Sequence, residues 1–517
     1  MTNARRFLRA IAAGAVLAAI AAGASTLLAR PVQAATVSAQ AQAQVKTQTR
    51  TQARSSPMAR HVVIVGIAGL RWDQVSAAAE PTLWRLASAG SAGGLVDYAE
   101  HPLACPADAW LTLNSGARAQ GTGACGSLPA VYPVGSGAGA AIPAMPGIVA
   151  ANRGFHQDPD WGLLGRLPGC ATAVGPGAAL ALAAPSGAVP AYLPSARELS
   201  AAVLARCPLT VVDLGTHTVD TERPVASAPD KALARIVGDL SPDTMLLVTA
   251  VGTTDTTPHL MALFVSGPGY GTGLLRTAST RQPGIVALTD LTPTVAHWLG
   301  ASVPASLPGS VVGRAERGNR NSLAATVRTL TGRDAAEQTW ISTHAWFLAG
   351  YGGADVLAFG IPALVWRGAS DRRRRRRAAC WRVAGIFAAA VPVSTFLAAL
   401  VPWWQQADPA AWLYGLAAVW TLIVGAAALL ADRKKWWSGG RIPGAFGAIC
   451  LLTLIVLGVD VMTGSRLQLE TPFGLSLLTS GRYYGIGNDA VGVYCVSALV
   501  AAGWAGGLVR AGRRRLA

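Results

Sequence analysis

The stretch HVVIVGIAGLRWDQV, residues 61–75, decides the fold. It begins as an apolar run and ends in a glycine-rich turn followed by a polar helix-start pattern. A short apolar run bounded in this way reads as a strand buried on both faces, the kind that opens a sheet covered by helices. In an α/β enzyme the tip of such a strand is where an acidic side chain is expected, and here the tip is Ala68.

Working outward, residues 61–312 alternate β-rich runs with helical patterns. The runs HVVIVGI, LTVVDLG, TMLLVTAV and LMALFVSG are interleaved with PTLWRLASAG, SARELSAAVLARC, PDKALARIVGDL and LTDLTPTVAHWLG. That alternation predicts an α/β domain, a mostly parallel sheet covered by helices, in a stretch long enough for one substantial core. Residues 126–150 and 171–194, rich in Gly, Ala and Pro, are predicted to be long loops.

The chain of 517 residues is 51% hydrophobic and 13% charged, too apolar for one soluble domain. Residues 1–34 have a basic start, an apolar segment and a small-residue cleavage pattern around Val32 to Ala34, and read as a signal peptide or N-terminal anchor. Residues 35–60 alternate small residues with Gln and Thr and read as a disordered tether without chemistry. After a linker over 313–341, five stretches are long enough to cross a bilayer as helices: 342–366, 383–404, 410–431, 442–462 and 489–509. Residues 510–517 form a basic tail.

The net charge of +17 collects beside these stretches, at Arg372–Arg377, in DRKK at 432–435 and in RAGRRR at 510–515. Weaving the chain from an exported domain puts all three clusters on the cytoplasmic side, so the charge reports topology and not nucleic acid. The expectation is a multi-pass protein of the cell membrane with a large extracytoplasmic domain. Trp403, Trp404, Trp436 and Trp437, at span ends, read as interfacial anchors.

The outward loop over 463–488 is richer in polar residues and glycine than its flanks. Gly485, Gly487, Asn488 and Asp489 suit a tight turn with Asn488 or Asp489 as helix cap. The functional reading has Arg466, Arg482, Tyr484, Asn488 and Asp489 facing an anionic or lipid-linked envelope component. Asp355 and Asp460 lie in or near spans, and Asp460 is expected to be hydrated at a span end.

Four cysteines, Cys105, Cys125, Cys170 and Cys207, fall in the exported stretch, while Cys380, Cys450 and Cys495 accompany the spans. An even number in an oxidising compartment predicts disulfides, with Cys105–Cys125 and Cys170–Cys207 as the local pairing among alternatives. No CxxC spacing or neighbouring histidine favours zinc.

The ordered pieces VVIVGIAGLRWD, PTLWRLASAG, HPLACPADAWLTLNSGARA, VVDLG, APDKALARIV, DTMLLVTAVG, HLMALFVSGPGYG and LTDLTPTVAHWLG resemble the alkaline phosphatase superfamily over about residues 61–312. The whole, with its multi-span tail, is also similar to a group of exported actinobacterial membrane proteins. The resemblance implies two divalent metal ions, such as zinc, held by Asp and His, with a Ser or Thr nucleophile.

Carried over position by position, that machinery is missing. Ala68 replaces the first metal Asp, Ala104 and Cys105 stand at the nucleophile, and Ala250, Val251 and Gly252 replace a Ser-Asp-His tip. Cys105 lacks the sulfatase C-x-P-x-R context. Asp213, Asp220 and His259 remain as isolated ligand candidates, with Asp255 beside them. Asp73 and Asp108 read as helix-start carboxylates.

The leading expectation is therefore a domain without metal cofactor that binds or scaffolds at the envelope. One alternative is an active phosphatase, phosphodiesterase or phospho-group transferase on envelope lipids or polymers. The other puts the activity in the membrane half, on a lipid-linked substrate.

Overall fold

The computed structural model describes residues 58–100, 103–135, 139–155, 157–218, 226–253, 255–316, 322–360, 371–432 and 442–514. Residues 1–57, which include the stretch expected as a signal segment and most of the expected tether, Asp220 and the basic residues 433–435 lie outside the described residues. The chain divides into two compact units. The first holds the described residues up to Asp334 together with Leu478–Tyr483, and the second holds Ala335–Leu477 and the chain from Tyr484.

The first unit contains strands β1 (His61–Ala68), β2 (Ser91–Val96), β3 (Tyr132–Val134), β4 (Gly139–Ala141), β5 (Ala171–Val174), β6 (Ala188–Val189), β7 (Tyr192–Leu193), β8 (Leu209–Thr216), β9 (Thr244–Ala250), β10 (Met261–Ser266), β11 (Gly273–Arg276), β12 (Ile285–Ala287) and β13 (Gly313–Glu316). Its main helices are α1 (Pro81–Ala89), α2 (Pro106–Ser115), α3 (Pro176–Leu182), α4 (Ala228–Gly238) and α5 (Leu291–Trp298). The principal sheet runs β13-β11-β2-β10-β9-β1-β8-β5-β7, with β12 also paired to β2, and β3-β4-β6 form a small second sheet.

β1 is central because its apolar residues are buried on both faces. It pairs in parallel with β8, Val62 opposite Leu209, and with β9, Val62 opposite Met245. β10 is antiparallel to both β9 and β2, so the sheet is mixed around a parallel centre. All four β-rich runs of the sequence are strands, and PTLWRLASAG, PDKALARIVGDL and the TPTVAHW part of the last pattern are helices. SARELSAAVLARC shortens to a 3-10 turn, Ala196–Glu198, and a four-residue helix, Ala201–Leu204.

The stretch expected as a loop over 171–194 is a correction. It supplies β5, α3 and β7, and β5 joins the principal sheet beside β8. Its Ala- and Gly-rich composition answers to packing under Trp110 of α2. A Cβ on Gly177 would stand 2.0 Å from the indole, and one on Gly66 of β1 2.3 Å. Small residues are what a close-packed interior requires around so large a side chain, whose truncation to alanine costs roughly 3–5 kcal/mol. The stretch 126–150 likewise carries β3, β4 and a short helix, Met145–Ala151.

The stretch read as a linker over 313–341 holds β13, antiparallel to β11, and the start of helix α6 (Leu323–Asp355). Its sequence has no apolar stripe, and α6 has no single buried face, which is why periodicity missed it.

The second unit continues with α7 (Asp371–Ala398), α8 (Pro409–Asp432), α9 (Gly444–Thr463) and α10 (Asn488–Arg514). Among the described residues four helical segments are long and apolar enough to cross a membrane: Ala378–Ala398, Pro409–Asp432, Gly444–Thr463 and Asn488–Arg510. The expected fifth, 342–366, falls on the end of α6 and a π-turn, Val356–Gly360, and its last residues lie outside the described ones. Gly350, Gly352, Gly353 and Asp355 keep that stretch from reading as a continuous apolar helix. Ile386, Val393 and Phe396 of α7, Val424 of α8, Ile449 and Val456 of α9, and Ala490 of α10 share one core. Glycine lets these helices approach: a Cβ on Gly425 would stand 2.5 Å from Phe387 and one on Gly447 2.3 Å from Trp504.

Candidate functional site

Open α/β sheets present ligands at the C-terminal tips of their parallel strands. Four of the sequence-selected positions meet there. β1 ends at Ala68, and Gly69, at φ +75°, donates its N–H to the Gly252 carbonyl (2.9 Å). Beyond β9, Val251 is buried, Gly252 turns back at φ +70°, and Thr253 donates to the Ala104 carbonyl (2.9 Å). A Cβ on Gly252 would lie 2.5 Å from the Cys105 carbonyl carbon. Ala68, Ala104, Val251 and Gly252 thus belong to one tightly packed junction of backbone.

Cys105 precedes α2 as its cap residue and is bonded to Cys125, while Cys170 is bonded to Cys207. Asp108 is the helix-start carboxylate that was expected. One oxygen accepts from the Cys105 N–H (2.9 Å) and the other from the Gly121 N–H (2.6 Å). Asp73 is the acidic residue in the first turn of the 3-10 helix Trp72–Gln74; Gln74 receives the Arg71 N–H (2.8 Å), and Asp73 pairs with the Arg71 guanidinium (3.2 Å). Trp72 between them is an anchor, its indole N–H on the Gly93 carbonyl (2.9 Å).

The described ligand candidates make the following contacts. Asp213 accepts from the Gly177 N–H at the start of α3 and from the Gly215 N–H, both at 2.8 Å. Burial raises its pKa, and those two N–H groups oppose the shift. Asp255 holds Arg71 (2.8 Å). His259 Nδ1 meets Asp334 Oδ2 of α6 at 2.9 Å, and the other Asp334 oxygen accepts from the Leu260 N–H (2.7 Å). The bond to Asp334 raises the His259 pKa against burial. Among the described residues no group of three or more His, Cys, Asp and Glu is placed to hold a metal ion. Those described donors do not assemble the two-metal centre that the resemblance implies, and Asp220 lies outside the described residues.

Sequence reading missed Asp97, one residue past β2. The antiparallel register of β2 and β10, Leu95 opposite Met261, extends to put Asp97 opposite His259. Asp97 is buried, one carboxyl oxygen has no hydrogen-bond partner among the described residues, and burial pushes its pKa up to about 7. An acidic side chain thus stands at the tip of β2. It also missed His217 and Glu80, both fully buried, joined at 2.7 Å, with Ser227 donating to the second Glu80 oxygen (3.0 Å). The His217 N–H donates to the Ala68 carbonyl (2.8 Å), so this pair closes the far side of the β1 tip.

The loop candidates are divided between the two units. Arg482 belongs with Leu478–Tyr483 in the first unit, whereas Arg466, Tyr484, Asn488 and Asp489 belong to the second, and all five are exposed. Asp489 approaches His344 Nε2 (3.7 Å), whose Nδ1 meets the Pro472 carbonyl (2.9 Å) and whose ring stacks on Trp340 (4.1 Å). Asp460 is a correction: it is buried, accepting from the Leu467 N–H (2.8 Å) and Gln468 Nε2 (3.2 Å). It organises the loop from within. Tyr483, beside Tyr484, is the buried tyrosine, and its carbonyl accepts from Gln282 Nε2 (2.9 Å).

No family model matches the sequence, and no curated relative matches it either. Among solved structures, that of Ps i-CgsB in complex with k-i-k-neocarrahexaose is similar at 14% identity over 49% of this chain and 75% of that one. The TM-score is 0.26. An overlap of that size fixes no activity for this chain.

Proposed function

We propose that this protein is a membrane-anchored, extracytoplasmic domain of alkaline phosphatase-like fold that binds or scaffolds at the cell envelope without metal-dependent hydrolysis. The observation that carries the reading is the junction at the strand tips. Gly252 lies on the Cys105 carbonyl and Thr253 is bonded to Ala104, and this close packing supports a tip without room for metal ligands and a nucleophile. The disulfides and the four apolar helices fit an exported domain on a membrane anchor. What remains at the tips is rich in carboxylates: Asp73, Asp97, Asp255 and Asp334 against Arg71 and His259. Without metal ions that balance disfavours a phosphate or sulfate ester and favours a neutral or cationic group of an envelope polymer.

The test is turnover of nitrophenyl phosphate, bis-nitrophenyl phosphate and nitrophenyl sulfate by the full chain with added zinc, manganese or calcium. The expected rate equals that of buffer. Saturable hydrolysis that disappears in His259→Ala or Asp213→Ala would establish the enzyme reading instead. That second reading is favoured by one observation, the His259–Asp334 pair, which has the geometry of an oriented general base.

A further inference from the structure

Within the second unit, one face of α6 grips the loop that joins α9 to α10. Glu337, Trp340 and His344 are spaced at i, i+3 and i+7, which puts them on a single face of the helix. Glu337 accepts from the Leu477 N–H (2.6 Å) and from the Ser476 hydroxyl. The Trp340 indole N–H donates to the Thr471 carbonyl (3.0 Å). His344 Nδ1 stands 2.9 Å from the Pro472 carbonyl, and its ring stacks on that of Trp340 at 4.1 Å. The imidazole is therefore fixed both by its edge and by its face.

A carbonyl can only accept, so the proton of this ring belongs on Nδ1. In the neutral ring Nε2 then carries a lone pair. It faces Oδ2 of Asp489 at 3.7 Å, beyond hydrogen-bond reach. Two acceptors confront each other across a gap, and one of them is a carboxylate. The gap is open, since the side chains of His344 and Asp489 are 19% and 44% exposed. Asp489 is the second residue of the apolar segment Asn488–Arg510, which puts the gap at the depth of lipid headgroups.

A group that fills such a gap must donate at least two hydrogens. Water has two, but it leaves the charge of the carboxylate uncompensated where an apolar span begins. A primary ammonium has three N–H donors and a positive charge. A quaternary ammonium has the charge and no donor.

We infer that His344 Nε2 and the Asp489 carboxylate form a binding site for a primary ammonium group, such as that of an ethanolamine headgroup. The site is separate from the strand tips, and it holds its ligand whatever they bind.

The test reconstitutes the full chain in a bilayer of phosphatidylcholine and phosphatidylethanolamine, extracts it gently and measures the retained lipid. The wild-type chain is expected to prefer phosphatidylethanolamine by about tenfold, the worth of one charge-assisted hydrogen bond. Asp489→Asn keeps the size of the side chain and removes its charge, and His344→Gln removes the fixed lone pair. Each variant should bring the ratio of the two lipids back to that of the bilayer. A second arm titrates soluble phosphoethanolamine into the chain held in phosphatidylcholine alone, followed by calorimetry. Binding there that is lost in Asp489→Asn, without enrichment of the lipid, would keep the site and assign its ammonium to a soluble molecule. No preference and no binding in the wild-type chain, the result expected if Nε2 held a second proton and paired with Asp489, overturns the inference. A preference unchanged in both variants overturns it as well.

Discussion

His259 and Asp334, 75 residues apart, are held together by a 2.9 Å contact between Nδ1 and Oδ2, and the second Asp334 oxygen secures the neighbouring Leu260 N–H. This pair fastens the beginning of α6 to the edge of β10 and fixes the ring at the strand tips. Asp334 raises the His259 pKa, so the pair stabilises the fold fully below the imidazole's ordinary range and loses that contribution as pH rises through the raised value. Asp334→Asn should lower the His259 pKa, read by proton NMR of the ring. It should also cost about 1–3 kcal/mol of stability at pH 5 and less at pH 9. A cost that grows with pH would contradict the pairing.

Asp97 gives the opposite pH dependence. Its carboxyl is raised by burial from the ordinary value to about 7, so the folded state favours the protonated form. Stability is lost as pH climbs from the unfolded-state value toward 7 and is constant beyond it. Asp97→Asn should therefore be nearly neutral at pH 4 and stabilising by roughly 2–4 kcal/mol above pH 7. Denaturant unfolding at the two pH values checks this, and a destabilised variant at pH 8 would show the carboxylate to be satisfied in its ionised form.

Gly252→Ala tests the junction. A side chain there takes up φ +70° and meets the Cys105 carbonyl at 2.5 Å, so a loss of about 2–4 kcal/mol is expected from thermal unfolding. A variant as stable as the parent would mean that the tips have room.

The two disulfides predict a thiol count. In the oxidised, unfolded chain the reactive thiols should be those of Cys380, Cys450 and Cys495. Replacing Cys170 and Cys207 together should cost about 2–5 kcal/mol. Free thiols at any of Cys105, Cys125, Cys170 or Cys207 would reject the pairing.

The strands of the parallel centre and the apolar helices were legible in the sequence because each carries an uninterrupted apolar signal, as in Val62–Val65 or Leu452–Leu457. What escaped was built from small residues or from distant partners. β5 and α3 were hidden because alanine and glycine look like loop, and only Trp110, far along the chain, explains them. At the site, the local cystine pairing was one of the options readable from position. Asp97, Glu80 and His217 were not, since their roles follow from strand register and burial. Asp334 was hidden because it belongs to a helix with no apolar stripe.

The proposed function requires that the strand tips hold no metal. Elemental analysis of the full-length chain, after exposure to zinc, manganese and calcium and removal of loosely held ions, tests it most directly. The account predicts well under one ion of any of them per chain, unchanged in His259→Ala. One or more ions per chain, lost in His259→Ala or Asp213→Ala, would contradict it.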